Sequence, residues 1–403
     1  MITPAEAESL IRENLPRFGT EECALDQAQG RILREDLRGD RDLPPFDRVT
    51  MDGYAVKASA VSAKHRSFLI ESTQAAGMRP FKLRSPENAC VEVMTGAVLP
   101  EGTDCVIPYE DTKTDGTGME LMPGAKPPKP GQSVHRRGSD HRQGEIIVRA
   151  GARITGREIA VAAAVGAARL LVAQRPKIAV VATGDELVEV GDAVAAHQIR
   201  RSNDHALRAA LIMAGYPHVE RFHLHDMRHE IEHMLWHIIA EFDVVLISGG
   251  VSKGKFDFLP AELDAQGVRR VLHGVAQRPG KPFWFGVNPD GKPIFALPGN
   301  PVSSYTCLHR YVLPALAHAS RFVPGLEPRR VALGAPVTFQ PKLAYLLPVK
   351  LAHGEKGITR AMPEPANTSG DFSGLVGTDG FVELPAGQTE FPEGFVAPFY
   401  AWV

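Results

Sequence analysis

The rhythm of apolar and polar positions changes along the chain. Ala7, Leu10, Ile11 and Leu15 fall at helical spacing, and Thr3-Pro4 supplies a cap and a first-turn residue. Residues 4–15 are therefore expected to form an amphipathic helix. The stretch "PPFDRVTMDGYAV" (44–56) reads as a Pro-led loop entering a short strand. From there to about residue 140, short alternating runs such as "CVEVMTGAVL" and "DCVIPYED" are broken by Gly, Pro and Asp, the pattern of a small β-module. "REIAVAAAVG" then reads as a helix stopped at Gly166.

At residue 177 the pattern becomes one of strands alternating with helices. "KIAVVATGDEL" is a buried strand with a polar exit, and "SNDHALRAALIMAG" a helix with a Ser/Asn cap and a stopping glycine. "MRHEIEHMLWHIIAEF" is an amphipathic helix, "DVVLISGG" a buried strand, "DFLPAELDAQG" a short helix and "PIFALPG" a further strand. "PVSSYTCLHRYVLPALAHA" is a helix with Pro301 in its first turn. Such alternation predicts an α/β domain with a doubly wound parallel sheet. Beyond about residue 320, "RRVALGAPVTF", "LAYLLPVKLA" and "DGFVELPAG" return to short strands and turns, closing as a small β-domain.

Composition narrows the class. At 403 residues the chain is expected to hold two to four domains. A formal net charge of −2 gives no whole-chain attraction to nucleic acid or to an anionic membrane, so neither partner is expected. Cys23, Cys90, Cys105 and Cys307 are far apart and form no CxxC pair, as in a reduced, cytoplasmic protein without a thiolate metal site. The opening "MITPAEAESLIRENL" is a polar helix start and not a signal peptide. The most apolar helical run, "IAVAAAVGAARLLVA", is too short to cross a bilayer.

Candidate chemistry gathers where strands end. In an open parallel sheet, ligands sit outside the carboxyl ends of the strands. Three polar turns leave strands there: "TGDEL" (183–187), "SGGVSKGKFD" (248–257) and "LPGNPVSS" (297–304). None is a Walker loop or a GxGxxG fingerprint. Gly249 and Gly250 permit a tight turn with N–H groups near a ligand, and Ser252 adds a hydroxyl. Asp257 either caps the following helix or holds a divalent cation that bridges to the anion. Taken alone, the loop reads equally as a capped strand-to-helix turn. Arg278 and Lys281 flank Pro279-Gly280, a rigid turn that suits an oxyanion, with a forked contact from Arg and a point charge from Lys. Glu186 and Asp226 bring carboxylates to the same rim. Carboxylates facing lysines are what metal-assisted cleavage of a phosphate anhydride requires. His229, His233 and His237 recur every fourth residue but lie opposite the buried stripe of Ile231, Met234, Leu235 and Ile238, so a solvated face is expected there and not a zinc site.

The order of these pieces resembles the molybdopterin molybdenumtransferase family, which includes the C-terminal domain of gephyrin. The pieces that carry the resemblance are "PPFDRVTMDGYAV", "VMTGAVLPEGTDCVIPYED", "RRGSDHRQGE", "VVATGDEL", "QIRRSNDHALRAAL", "LISGGVSKGKFDF", "RPGKPFWFG" and "LPGNPVSSYTCLHRYVLPAL". It implies a homodimer with four domains. These are an extended helical and hairpin domain (1–40 and 142–172), an inserted β-module (41–141), a molybdopterin-binding α/β domain similar to adenylyltransferases (173–318) and a β-barrel-like domain (319–403). The implied reaction takes adenylylated molybdopterin and molybdate, releases AMP with Mg²⁺ as helper ion, and passes the metal to the dithiolene sulfurs.

The family's functional positions fall here on Asp52, Thr95, Asp140, Glu186, Asp226, Asp257, Lys281 and Ser369. On this reading Asp257 and Asp226 hold the metal ion. Ser248, Gly249, Gly250, Ser252 and Asn300 bind the nucleotide or molybdopterin, and Arg278, Lys281 and Ser369 face molybdate. Glu186 orients water or substrate, while Asp52 and Thr95 act from the β-module across the dimer interface by family analogy. The molybdopterin adenylyltransferase is a further implied partner. The chain departs from the family pattern at Arg278 and Gly274, where many members carry lysine, and in "KLAYLLPVKLA", where Lys350 is the nearest cation to a missing arginine. Two other readings remain: an adenylyltransferase that builds the substrate from ATP, and a non-catalytic scaffold on the same fold.

Overall fold

The computed structural model describes residues 1–62, 64–250, 259–323, 328–354, 357–366 and 368–403. It divides into two compact units, one of residues 36–150 with 156–168, the other of residues 1–35, 151–155 and 169–403.

Helix α1, Pro4–Glu13, opens the larger unit. Thr3 accepts from the Glu6 amide while Glu6 accepts from the Thr3 amide, a reciprocal capping box with Pro4 just inside it. Ala7 and Ile11 are buried on one side of the helix. Thr20–Ala24 then pairs antiparallel with Arg169–Ala173 as a ribbon.

The smaller unit is the β-module. Its strands are β1 (Gly53–Val56), β2 (Ser67–Gln74), β3 (Ala89–Val93), β4 (Cys105–Pro108), β5 (Thr112–Thr114) and β6 (Gly118–Leu121), in the sheet order β4-β1-β3-β2-β6-β5. Neighbouring positions face opposite ways, so Tyr54 and Val56 enter one core and Ala55 the other. Helix α2, Gly156–Ala164, also belongs to this unit.

The α/β sheet of the larger unit is built from β7 (Ile178–Thr183), β8 (Val219–Leu224), β9 (Val244–Ser248), β10 (Arg269–His273), β12 (Trp284–Val287) and β13 (Pro293–Leu297), with β11 (Gln277–Arg278) lying outside it. The order is β8-β7-β9-β13-β12-β10. The first four are parallel, whereas β12 pairs antiparallel with β13 and β10 antiparallel with β12, extending the sheet at one edge. The parallel expectation holds for the strands that carry the site, and the mixed edge is an addition to it. Ile178, Val180, Val244 and Leu246 face α1, helix α3 (Asn203–Met213) and the helix after β13. Ala179, Val181, Val245 and Ile247 face α4 (Arg228–Glu241) and α5 (Leu259–Ala265). Burial on both faces is why these strands read as continuous apolar runs. The helix after β13 runs as α6 (Pro301–Cys307), a π-helical turn (Leu308–Val312) and α7 (Leu313–Ala319). Pro314 has no N–H to return to the Arg310 carbonyl, and the wider turn falls where that bond is lost.

The C-terminal strands β14 (Arg329–Leu333), β15 (Ala344–His353), β16 (Thr359–Pro363), β17 (Gly380–Leu384) and β18 (Val396–Ala401) pair around a closed circuit, β15-β16-β14-β18-β17 and back to β15. Closure removes the free edges of this small barrel. Its core includes Leu333, Leu347, Val349, Val382 and Phe399. Strand β11 pairs with the start of β15, Arg278 beside Tyr345, and so joins the α/β domain to the barrel. Among the described residues no helix is long and apolar enough to cross a membrane.

Candidate functional site

Two adjoining cavities open in the larger unit. The first, ≈860 Å³, lies at the carboxyl ends of β7, β9 and β13 and is lined by Glu186, Asp226, Ser248, Gly249, Gly250 and Asn300 among others. The second, ≈460 Å³, lies between the α/β domain and the barrel and is lined by Arg278, Lys281, Ser369 and Asn300. Asn300 and Pro282 line both.

The strand-end cavity owes its shape to backbone without side chains. Gly249 sits at φ +104°, and a Cβ there would lie 2.7 Å from Thr183 Oγ1 and 3.0 Å from the Thr183 carbonyl. Only glycine allows β9 to turn this close to the end of β7. Its N–H donates to the Leu297 carbonyl at 3.1 Å. Of the two glycine amides expected at a ligand, this one is therefore committed to the neighbouring strand. Ser248 is 4% exposed, and its hydroxyl accepts from Asn203 Nδ2 at 2.9 Å. The same nitrogen donates to the Gly299 carbonyl at 2.7 Å, so one carboxamide ties the start of α3 to the ends of β9 and β13.

Asn203 was not among the sequence candidates, and its neighbour explains why. Ser202 occupies the N-cap position of α3 but makes no side-chain cap bond. The expected Ser/Asn cap is thus absent, because the Asn203 side chain crosses to the other loops. Its Oδ1 is buried without a hydrogen-bond partner among the described residues.

Charge is arranged in layers around this cavity. Asp185 accepts from the Asp226 amide at 3.1 Å and pairs with His225 Nδ1 at 3.2 Å, which joins the exits of β7 and β8. Asp204, also in the lining, is fully buried and binds Arg201 at 2.5 Å and Arg221 at 3.0 Å. The Val190 amide, then His205, hold the Glu189 carboxyl below its ordinary range, with Arg201 and Arg221 adding to the effect. Among the described residues no group of three or more His, Cys, Asp or Glu side chains converges as a metal cage. His233 and His237 meet edge-on with ring centroids 4.6 Å apart, while Ile231, Leu235 and Ile238 are buried.

The barrel-side cavity presents cations. Gly280, at φ +89°, lets the Arg278–Lys281 turn lie on a buried polar floor, where Gln277 Nε2 donates to Cys307 Sγ at 3.6 Å and the Tyr311 hydroxyl donates to Gln277 Oε1. Ser369 is held at the same place from the barrel side. Its hydroxyl accepts from Asn300 Nδ2 at 2.9 Å and its carbonyl accepts from the Val302 amide at 3.1 Å. Burial pushes the Tyr345 hydroxyl up while the charge of Arg278 pulls it down, so the cation acts directly on this wall.

The β-module carries the other candidates. Asp52 Oδ1 accepts from both the hydroxyl and the amide of Thr95, and Asp140 Oδ1 lies 2.8 Å from His135 Nε2. Ser252 and Asp257, the remaining candidates, lie outside the described residues. The structure therefore brings Glu186, Asp226, Ser248, Gly249, Gly250 and Asn300 to one cavity and Arg278, Lys281 and Ser369 to the next, and it pairs Asp52 with Thr95.

This combination of a strand-end cavity and a barrel-bounded cationic cavity has relatives. Residues 2–166 match the model of the MoeA N-terminal region (domain I and II), residues 179–318 that of a probable molybdopterin binding domain, and residues 330–402 that of the MoeA C-terminal region (domain IV). The class is that of multidomain proteins of molybdenum cofactor biosynthesis. A molybdopterin molybdenumtransferase from Synechocystis sp. is 40% identical over 403 residues, covering 100% of both chains. One from Haemophilus influenzae is 34% identical over 318 residues, 79% of this chain and 77% of that one. The crystal structure of the molybdopterin biosynthesis MoeA protein from Pyrococcus horikosii superposes with a TM-score of 0.81 at 31% identity, covering 100% of this chain and 99% of that one. The chain belongs to the molybdopterin molybdenumtransferase family, a family of transferases.

Proposed function

We propose that this transferase acts on adenylylated molybdopterin, cleaving its phosphate anhydride and loading the released molybdopterin with molybdenum from molybdate. The observation that carries this reading is the sharing of Asn300 and Pro282 by the two cavities. A substrate whose phosphates lie at the strand ends can present its sulfurs to an oxyanion held on the cationic turn. Water attacks the anhydride, AMP leaves, and the two dithiol sulfurs replace an oxo group of molybdate, which leaves as water carrying both thiol protons.

In this division Ser248 and the glycine-bare wall shape the phosphate site, and Glu186 orients the attacking water. Arg278 and Lys281 neutralise the oxyanion, with Ser369 as a hydroxyl contact. Glu186 and Asp226 line the same cavity, and such a pair of carboxylates suits Mg²⁺, which keeps several waters and takes few protein ligands. When bound, that ion supplies charge neutralisation at the anhydride. Asp52, Thr95 and Asp140 are assigned to the same reaction on the family resemblance, as are homodimerisation and a partnership with the molybdopterin adenylyltransferase.

The test is direct. Purified protein given adenylylated molybdopterin, Mg²⁺ and molybdate should release AMP, and Glu186→Gln and Asp226→Asn should each slow that release by about 10²-fold or more. Release of pyrophosphate from ATP and molybdopterin would replace this reading with an adenylyltransferase. Undiminished AMP release by both variants would remove the roles given to the two carboxylates.

A further inference from the structure

A small cavity of the larger unit shares no lining residue with the two described above. Its ≈20 Å³ holds one water-sized group, and Arg31, Arg153 and Arg175 all line it. Separate stretches of chain meet there: residues 30–32, residues 173–175 at the end of the ribbon, residues 214–216 after α3, and Ser320 and Phe322 after α7.

The carbonyl ends of helices attract cations, and two helices finish here, which accounts for guanidinium groups at this place. It does not account for their number. Arg31 is 8% exposed, and its Nη2 donates to the Glu21 carboxylate and, at 2.7 Å, to the Ala173 carbonyl. Its Nε is buried without a partner among the described residues. Arg153 is held over the Phe322 ring, 5.1 Å from the centroid. Neither Arg153 nor Arg175 has a hydrogen-bond or ion-pair partner among the described residues. Burial, then the charge of Arg31, holds the Arg175 guanidinium below its ordinary range, against smaller opposing effects of Cys23 and Glu21. Three guanidinium groups with one carboxylate beside them, Glu21, leave two positive charges around a space that takes a single oxygen atom.

We propose that this cavity binds a tetrahedral oxyanion carrying two negative charges, one oxygen entering the cavity and the others meeting Arg153 and Arg175 at its mouth. Forked guanidinium donors match such oxygens, and a dianion cancels the excess charge. Bound there, the anion joins the ribbon to the ends of α3 and α7. The site is independent of the reaction assigned above.

Sulfate is the probe, added to the full chain at constant ionic strength in chloride, with acetate as the monovalent comparison. Calorimetry should show a sulfate site that Arg175→Gln and Arg153→Gln each weaken about tenfold, as for loss of one charge-assisted contact. The site should persist within about twofold in Lys281→Gln, where binding at the oxyanion turn is removed. Without sulfate, Arg175→Gln should melt no lower than wild type, because it relieves the repulsion from Arg31. With sulfate, wild type should gain thermal stability and the variant should not. Sulfate affinity unchanged in both arginine variants overturns the proposal, as does acetate bound as tightly as sulfate, or loss of the site in Lys281→Gln alone. A melting temperature lowered equally in Arg175→Gln with and without sulfate also overturns it, since that marks a merely structural arginine. Glycerol phosphate separates two sources that both keep the proposal: binding as tight as that of sulfate assigns the site to a phosphoryl group of a larger molecule, and weaker binding assigns it to a free ion.

Discussion

Thr95 donates both its backbone N–H and its hydroxyl to a single oxygen of Asp52, at 2.6 and 2.7 Å. The two residues are 43 positions apart, and the contact orients an exposed carboxylate that would otherwise rotate freely. The Thr95 hydroxyl, then its amide, hold the Asp52 carboxyl below the ordinary range, because hydrogen bonds to the charged form favour it. A carboxyl lowered in the folded state contributes stability above its unfolded value and loses it as pH falls through its folded value. Thr95→Val should therefore raise the Asp52 midpoint in a carboxyl-carbon NMR titration and slow AMP release at neutral pH. A midpoint unmoved by the substitution would show that the hydroxyl does not set the charge.

Arg310 joins three elements from within the larger unit. It is 3% exposed, and it donates to Glu383 of β17 at 2.6 Å and to Glu8 of α1 at 2.7 Å. Removing one member of such a buried set leaves charge uncompensated, which costs about 3–5 kcal/mol. Arg310→Met should lower stability by that amount in denaturant unfolding. A matched Arg310→Met/Glu383→Gln double variant should recover part of it, since one stranded carboxylate is gone. Additive losses in the double variant would mean that the two side chains act independently.

How far the sequence could be read follows from the range of the interactions involved. The strand-to-helix rhythm from residue 177 announced the α/β domain because β7, β9 and β13 are buried on both faces, and the rule for parallel sheets placed Glu186 and Ser248 at the ligand-bearing edge. Antiparallel β10 and β12 went unannounced. Their apolar runs, "RRVLHGV" and "PFWFGV", sit beside the conspicuous "RPGKP" turn, and nothing local shows that they pair with each other. Asn203 was hidden for a similar reason. A Ser-Asn pair ahead of a helix looks like a cap, and only the fold shows the carboxamide reaching Ser248 and Gly299, 45 and 96 residues away. Arg278 and Lys281 were legible together from their spacing around Pro279-Gly280, whereas adding Ser369 to them rested on family resemblance, because β11 and the barrel meet only in three dimensions. Ser252 and Asp257 lie outside the described residues.

His309 offers an acid-sensitive lock on the end of the chain. Burial lowers its pKa from 6.5 to about 4, with the Tyr305 carbonyl opposing the shift. The Val403 amide donates to Nε2 at 3.2 Å, so the neutral ring carries its proton on Nδ1 toward Tyr305. Because the folded value is depressed, the stability tied to the neutral ring is present above about 6.5 and is lost as pH falls from there toward about 4. The full contribution is about 3 kcal/mol. Trp402 packs edge-on against this ring, 4.9 Å between centroids, and should report the change. Its fluorescence should shift as pH is lowered through this window, and the shift should be lost in His309→Gln. A tryptophan signal with the same acid profile in that variant would assign the effect to another group.

The oxyanion turn makes the sharpest steric prediction. At Gly280 a Cβ would lie 2.5 Å from Cys307 Sγ and 2.6 Å from Gln277 Nε2, on a residue whose φ is +89°. Gly280→Ala thus carries two separable penalties: the left-handed backbone costs about 1–2 kcal/mol, and the collision moves the turn bearing Arg278 and Lys281 off its floor. Molybdate affinity, read by calorimetry, should fall at least tenfold in Gly280→Ala while AMP affinity changes little. Adding Cys307→Ala opens space beneath the new methyl and should restore part of the molybdate affinity, although the backbone strain remains. Equal loss of molybdate binding with and without Cys307→Ala would mean that the collision with Cys307 is not what displaces the cations.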